Sequence, residues 1–356
     1  MAPLARLTID LDALAHNHAV LVREAGAAEV APVVKADGYG LGAGPVARRL
    51  WAEGARSFFV ARLAEGEALR AALGPDRPAT ILVLDGFADG AGERLAAAGL
   101  TPVLCALPQV AAAGAWAKAH GSMAVALHVD TGMNRQGLTL EDAHGLDLRR
   151  LDVSLVMSHL GSAADPLDPR NAGQLGRFRE VRALFPDSRA SLTASAGVFL
   201  GEAYRFDLVR PGISLYGGGP REQPDERLRA VATLTAPILD IRSLQAGDVV
   251  GYGSSVRVER PMRVAMIAAG YADGVIRAAK AGGYAWLAGG RRPLLIVNMD
   301  ILAIDLGNAE AQVGQAVELL GPNALLDDLA QAAGTVAHEV LVRISGRAER
   351  TWLGEA

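Results

Sequence analysis

The sequence predicts an α/β protein, a (β/α)8 TIM-type barrel carrying a second, C-terminal, mainly antiparallel β domain. Short apolar, β-branched runs alternate with longer amphipathic stretches through roughly the first 220 residues, the pattern of parallel strands joined by helices. Eight such runs occur, the number that closes a barrel. After about residue 228 the helical stretches thin out, and alternating runs separated by Gly, Pro and Asp turns replace them, as in antiparallel pairing.

In order, the strand candidates are 31–35 (APVVK), 57–61 (SFFVA), 80–85 (ATILVL), 101–105 (TPVLC), 123–130 (MAVALHVD), 153–159 (VSLVMSH), 190–194 (ASLTA) and 206–210 (FDLVR). Between them, stretches such as 43–54 and 63–73 place apolar residues on one helical face. A barrel of this kind carries its chemistry at the C-terminal ends of its strands. The polar segment Gln223–Arg227, with Pro224, serves as a junction, giving domains 1–227 and 228–356. Strands are expected in the second domain at 230–240, 263–269, 293–304 and 339–345, with Gly-rich loops at 217–219 and 282–290. A chain of 356 residues is long enough for both domains.

The charge balance narrows the function classes. With a formal net charge of -4, the chain has no basic field to gather nucleic acid or an anionic membrane. The single cysteine, Cys105, lies in the apolar run Val103–Leu107. It reads as a small buried hydrophobe, and one thiol forms neither an internal disulfide nor a Cys-based metal site. Met1–Leu7 has no long apolar core, and no uncharged run is long enough to span a bilayer. A reducing cytoplasm is the expected home.

The sharpest chemical feature is Val33-Val34-Lys35-Ala36-Asp37-Gly38-Tyr39-Gly40-Leu41-Gly42. A lysine closing an apolar strand at a barrel mouth is poorly hydrated, which lowers its pKa and favours the nucleophilic amine. The glycines beyond it let the backbone approach a bulky ligand. One strand-end lysine alone is more often a side chain snorkelling to water. The wider pattern decides, through Ile9-Asp10-Leu11, Val129-Asp130-Thr131-Gly132-Met133-Asn134-Arg135, Ser158-His159, Ala194-Ser195-Ala196-Gly197 and Arg210-Pro211-Gly212-Ile213-Ser214-Leu215-Tyr216-Gly217. It continues in Gly251-Tyr252-Gly253, Gly270-Tyr271-Ala272-Asp273-Gly274 and Met299-Asp300. Nearly end to end, this series resembles the alanine racemase family, whose members combine a barrel with a C-terminal β domain.

The resemblance implies a cofactor, pyridoxal 5'-phosphate (PLP), bound covalently at Lys35. It assigns the PLP phosphate to Tyr39, Ser195, Gly212 and Ile213, and the pyridine nitrogen to Arg210. A guanidinium only donates, so that nitrogen would remain an unprotonated acceptor and the ring a weaker electron sink. Racemisation moves a proton from one face of Cα to the other, which needs two acid/base groups. The resemblance implies Lys35 for one face and Tyr252, from the second subunit of a homodimer, for the other. His159, backed by Arg210, would tune the Tyr252 phenol. Arg135 and the backbone N–H of Met299 would take the substrate carboxylate, with Tyr271 and Arg277 near the path by which substrate enters. No metal is implied. The activity implied is an isomerase's, interconverting L- and D-alanine, and through D-alanine biosynthesis supplying a peptidoglycan precursor.

Four positions depart from the family's pattern. His128 stands where many relatives carry a lysine, often carbamylated, that holds the substrate-binding arginine. Gly346 replaces a second phosphate-contacting tyrosine, Ile296 an arginine, and Leu41 a common histidine. Three other readings stand beside the alanine reaction. A racemase of another small amino acid, such as serine or a broad range, would need the same proton-transfer groups. A non-catalytic PLP carrier would lack the β domain with Tyr252. A PLP decarboxylase would prefer an acidic residue to Arg210.

Overall fold

The computed structural model describes residues 5–254 and 256–355. Residues 1–4, part of the segment read above for a leader, lie outside the described residues. Among the described residues no helix is long and apolar enough to cross a membrane. The chain divides into two compact units, one comprising residues up to Leu14, Tyr39–Leu41 and Tyr216–Glu355, the other Ala15–Gly38 and Gly42–Leu215. The first strand, β1 (Arg6–Asp10), belongs to the former, a placement the sequence reading did not anticipate.

The second unit is built from parallel strands. They are β2 (Glu29–Val30), β3 (Ser57–Val60), β4 (Thr80–Val83), β5 (Leu100–Leu104), β6 (Met123–His128), β7 (Leu151–Met157), β8 (Arg189–Ser191) and β9 (Leu208–Val209). Seven of the eight predicted runs overlap a strand, trimmed or shifted at the ends. The first, 31–35, does not, because β2 ends before it and within it only Val33 makes an isolated bridge, to Phe59, ahead of the turn at Lys35. β3 to β8 form one parallel sheet in chain order, and β2 pairs in parallel with β9. Hydrogen bonds join these two ladders on both sides. Val34 N–H donates to the Phe59 carbonyl at 2.9 Å, and Arg210 N–H to that of Thr193 at 2.9 Å. The parallel ladder therefore returns to its start. The amphipathic stretches form the helices Ala43–Ala52 and Leu63–Leu73, burying Val46, Ala47 and Leu50, and Leu69 and Leu73. Strands covered on both faces read as continuous apolar runs, as in fully buried Phe58 and Phe59.

The first unit is mainly antiparallel. Its strands are β1 with β10 (Ala232–Leu244), β11 (Val249–Val250), β12 (Val256–Arg257), β13 (Met262–Ile267), β14 (Tyr284–Leu287), β15 (Gly290–Val297), β16 (Leu302–Asp305), β17 (Ala316–Leu320) and β18 (Glu349–Leu353). The long β10 bends at Ile238. Before the bend it pairs with β17, and after it with β13. With β14, β15 and β16 between them, this double pairing closes a six-stranded ring. β1 pairs antiparallel with β10 and parallel with β18, tying both ends of the described chain to one sheet.

Three expectations for this unit are overturned. The run 293–304 is not one strand but parts of β15 and β16, paired antiparallel around a turn, and the segment 282–290 contains β14 rather than being a loop throughout. Residues 339–345 do not form a strand, because Ala337–Arg343 is a helix. Its buried residues Ala337, Val340 and Leu341, followed by Ile344, recur at three- and four-residue spacing. Val342 faces outward, and Glu339 and Arg343 pair across one turn at 2.7 Å. The β-branched content of the segment hid this helical period.

Candidate active site

The C-terminal ends of the parallel strands collect the barrel unit's chemically capable groups. Lys35 follows the extended segment beyond β2, His128 ends β6, Ser158 and His159 follow β7, and Arg210 follows β9. After Lys35 the backbone enters a left-handed turn at Ala36 (φ 53), Asp37 (φ 55), Gly38 (φ 63) and Tyr39 (φ 58). Within the barrel unit Gly38 N–H donates to Val34 O at 2.9 Å, Gly42 N–H to Asp37 O and Ala43 N–H to Asp37 Oδ1, both at 2.8 Å. Glu65 supplies a further anchor, accepting from Ala36 N–H at 2.9 Å, Ala61 N–H at 2.8 Å and Arg62 N–H at 3.2 Å. Burial, aided by Arg135, holds the Lys35 ammonium below its ordinary pKa, while Glu65 pulls the other way. The amine is thereby favoured as a nucleophile.

Arg210 is buried with its charge uncompensated. It donates to the carbonyls of Ser158 and Ser191 and to the Ser191 hydroxyl, with His159 Nδ1 at 3.5 Å and the Phe59 ring centroid 5.9 Å away. Among the described residues no carboxylate pairs with it. Burial brings its pKa down to about 9, still charged at neutrality. Because a guanidinium only donates, His159 Nδ1 must accept and its proton sits on Nε2. Burial, then Arg210, Arg135, His128 and Lys35, lower His159 to about 3. Burial, then Arg210 and Arg135, lower His128 to about 4 against the opposing pull of Asp130. Both imidazoles are neutral at pH 7.

The loop bearing Arg135 is shaped by Asp130. Burial would raise this carboxylate's pKa, but backbone N–H groups of Gly132, Met133, Asn134 and Arg135 converge on it and hold it below the usual range. Gln174, fully buried, ties this loop to the next. It donates to Thr131 Oγ1 at 3.3 Å and His159 O at 2.9 Å, and accepts from Gly161 N–H at 2.8 Å. Arg177 donates to the Thr131 carbonyl as well. Arg135 itself is exposed, and no hydrogen bond joins its side chain to His128.

Ser195 organises the loops after β8 and β9. Its hydroxyl accepts from Gly212 N–H at 2.9 Å and Ser214 N–H at 3.2 Å, leaving its own proton to donate elsewhere. Nearby in the chain, the buried hydroxyls of Thr193 and Ser214 have no partner. A buried hydroxyl without a partner is costly unless a ligand or water meets it. This cluster therefore fits an anion that accepts hydrogen bonds, such as a phosphate.

In the β unit, Tyr39 is buried between Tyr216 and His338, and burial pushes its phenol pKa up. Tyr252 is 84% exposed in the single chain and Met299 53%. The turn bearing Met299 lies against Gly270–Ala272, where Tyr271 N–H donates to Asn298 O at 2.9 Å and Ala272 N–H to Met299 O at 3.0 Å. A Cβ at Gly270 would sit 2.3 Å from Met299 O, so only glycine fits there. The Met299 N–H has no acceptor among the described residues. Tyr271 and Arg277 share the lining of one cleft with Arg343. Ile296 is buried in the β core, Leu41 is fully buried, and a Cβ at Gly346 would meet open space.

The barrel mouth thus gathers a lysine whose charged form burial disfavours, the buried Arg210 cation and two buried hydroxyls without partners. Comparison with known proteins names the family. Residues 9–220 match the alanine racemase N-terminal domain and residues 231–352 the alanine racemase C-terminal domain. The alanine racemase of Methylobacterium nodulans is 42% identical, covering 98% of this chain and 96% of its own. The catabolic alanine racemase of Agrobacterium fabrum is 39% identical over 98% of this chain and 92% of its own. The solved alanine racemase of Bartonella henselae, described with covalently bound pyridoxal phosphate, superposes with a TM-score of 0.91. It is 33% identical, over 98% of this chain and 99% of that one. The chain belongs to the alanine racemase family.

Proposed function

We propose that this chain interconverts L- and D-alanine with PLP held covalently at Lys35. Residues 1–227 would form the PLP-binding barrel domain and residues 228–356 the β domain. The observation that carries the reading is the donor-only Arg210 cation, buried without a carboxylate behind a barrel mouth that also holds Lys35. PLP, when bound, withdraws electrons from the substrate and makes its Cα–H acidic. Ser195, Gly212, Ile213 and Tyr39 would hold the phosphate. Arg210 would donate to the ring nitrogen and keep it unprotonated, because a second proton beside a buried guanidinium is disfavoured.

Lys35 would hold or deliver a proton at one face of Cα through its Nζ. Tyr252 exchanges it at the other, and its exposure in the single chain supports a homodimer in which the partner completes each site. His159, neutral and polarised by Arg210, would support the phenolate through its Nε2 proton. Arg135 and the Met299 N–H would orient the substrate carboxylate. We place the enzyme in the cytoplasm, its D-alanine serving as a peptidoglycan precursor.

The test is direct. Purified protein with PLP should convert either alanine enantiomer to an equal mixture, followed by chirality-resolved chromatography, with serine run in parallel for breadth. Borohydride should fix the cofactor to the peptide containing Lys35. Failure to form D-alanine, or fixation at another lysine, overturns the reading.

A further inference from the structure

The segment Tyr39–Leu41 is gripped by the far end of the chain. Arg350 Nη1 donates to the Gly40 carbonyl at 2.6 Å, and the Trp352 indole N–H to the Leu41 carbonyl at 2.9 Å. Both donors stand on β18, two residues apart and therefore on one face. β18 is itself registered against β1 from Arg6–Glu349 to Asp10–Leu353. The helix Ala337–Arg343 presses in as well. A Cβ at Gly40 would lie 3.1 Å from Leu341 O and 3.4 Å from Val342 Cα. Arg350 has no carboxylate partner among the described residues, and its other Nη donates to Ile344 O at 3.4 Å. An arginine devoted to backbone carbonyls is a positional device.

What these bonds hold is unusual. Tyr39 has φ 58 without glycine's freedom, and Gly40 has φ 80. Such a backbone persists only where its surroundings over-determine it. Tyr39's ring is fixed from the sides by Tyr216, centroid to centroid 4.6 Å, and His338, 5.8 Å. The rings set its tilt, and the two carbonyl bonds set the backbone that carries it.

We propose that Arg350 and Trp352 are positioning residues for Tyr39, fixing the 39–41 backbone so that its hydroxyl is presented to the cofactor phosphate. The proposal rests on the reading of Tyr39 as a phosphate ligand. It is tested on the full-length enzyme by PLP affinity, from absorbance titration after hydroxylamine removes the cofactor, and by PLP loss from the diluted holoenzyme. Trp352→Phe keeps the ring and removes the donor. Arg350→Ala removes the other donor, and Arg350→Lys restores part of it.

Each donor-removing variant should weaken PLP about three- to tenfold, the scale of one net hydrogen bond. In a Tyr39→Phe background neither should weaken it further. Wild-type affinity in both variants, a lowered melting midpoint of the cofactor-free chain with affinity unchanged, or losses that add to that of Tyr39→Phe each overturn the proposal. If Tyr39→Phe alone binds PLP like wild type, the phosphate reading of Tyr39 fails first and the positioning role falls with it, while Lys35 labelling is untouched.

Discussion

Replacing Glu65 by Gln removes one charge and one acceptor from the turn that follows Lys35. Ala36 and Asp37 lie in the left-handed region, which costs L-residues about 1–2 kcal/mol each, or about 2–4 kcal/mol together. Glu65 offsets this by accepting three backbone N–H bonds. Hydrogen bonds to a charged group contribute about 1.5–3 kcal/mol each when buried and less when half-exposed, as here. A Gln amide has one oxygen, so either Ala36 N–H or the Ala61–Arg62 pair must face an NH2 group. Glu65→Gln should therefore cost about 2 kcal/mol of stability, and Glu65→Ala about 3–4 kcal/mol, in urea unfolding of the cofactor-free chain.

The electrostatic consequence is more specific. Glu65 raises the Lys35 pKa, while burial and Arg135 lower it. The amine, not the ammonium, attacks a carbonyl. Removing Glu65's charge should lower the Lys35 pKa further, so the acid limb of the pH profile for PLP capture moves to lower pH. Arg135→Ala should move the same limb to higher pH. Stopped-flow absorbance of PLP uptake across pH 5–9 reads both. Limbs that coincide with wild type in both variants, or that move the same way, would refute this account of how the lysine is tuned.

Three further outcomes are expected. Lys35→Ala should lose racemisation and all borohydride-fixed cofactor, read by peptide mass. His128 and His159 have folded pKa values of about 4 and about 3, below the unfolded value near 6.5, so only the unfolded chain takes up protons as pH falls from 6.5. Stability should be full above that pH and decline below it, by about 2 kcal/mol per histidine between pH 7 and pH 5. A flat response in urea melts would contradict their burial as neutral groups. Lys35→Ala and Tyr252→Phe homodimers should each be inactive, yet co-refolded as mixtures regain about a quarter of wild-type turnover. Half of randomly paired dimers are mixed, and each of these has one intact site. No recovery with mixed dimers present in native mass spectra would place Tyr252 outside a shared site.

How far this was legible in the sequence follows from which groups act through side chains and which through backbone. Unbroken apolar runs located β3 to β9, since strands buried on both faces carry no alternation, but placed the first strand at 31–35, past β2 at Glu29–Val30. β1 escaped because RLTID is short and its partners lie more than 200 residues away on β10 and β18. The helix at 337–343 escaped because Val340, Leu341, Val342 and Ile344 mimic a strand. Lys35, His159 and Arg210 stood out only through the series of motifs that resembles the family. Glu65, Asp130, Gln174, Arg350 and Trp352 did not, since each works on backbone amides or carbonyls whose positions depend on the fold.

Burial first, and after it the Arg210 cation with no anion beside it, drive His159 and His128 to their neutral forms. A ring nitrogen placed against the same guanidinium falls under the same field. It can accept a hydrogen bond but gains little from a proton, since the two positive charges would share a site that water does not screen. Exchanging Arg210 for Glu reverses the sign and should let that nitrogen hold a proton, making the cofactor a stronger electron sink. Carbanion character at Cα would then last longer, and slow transamination should emerge as racemisation falls. Chromatographic detection of pyruvate from alanine checks this. Full racemisation by Arg210→Glu with no pyruvate would mean that the guanidinium does not set the ring's proton state.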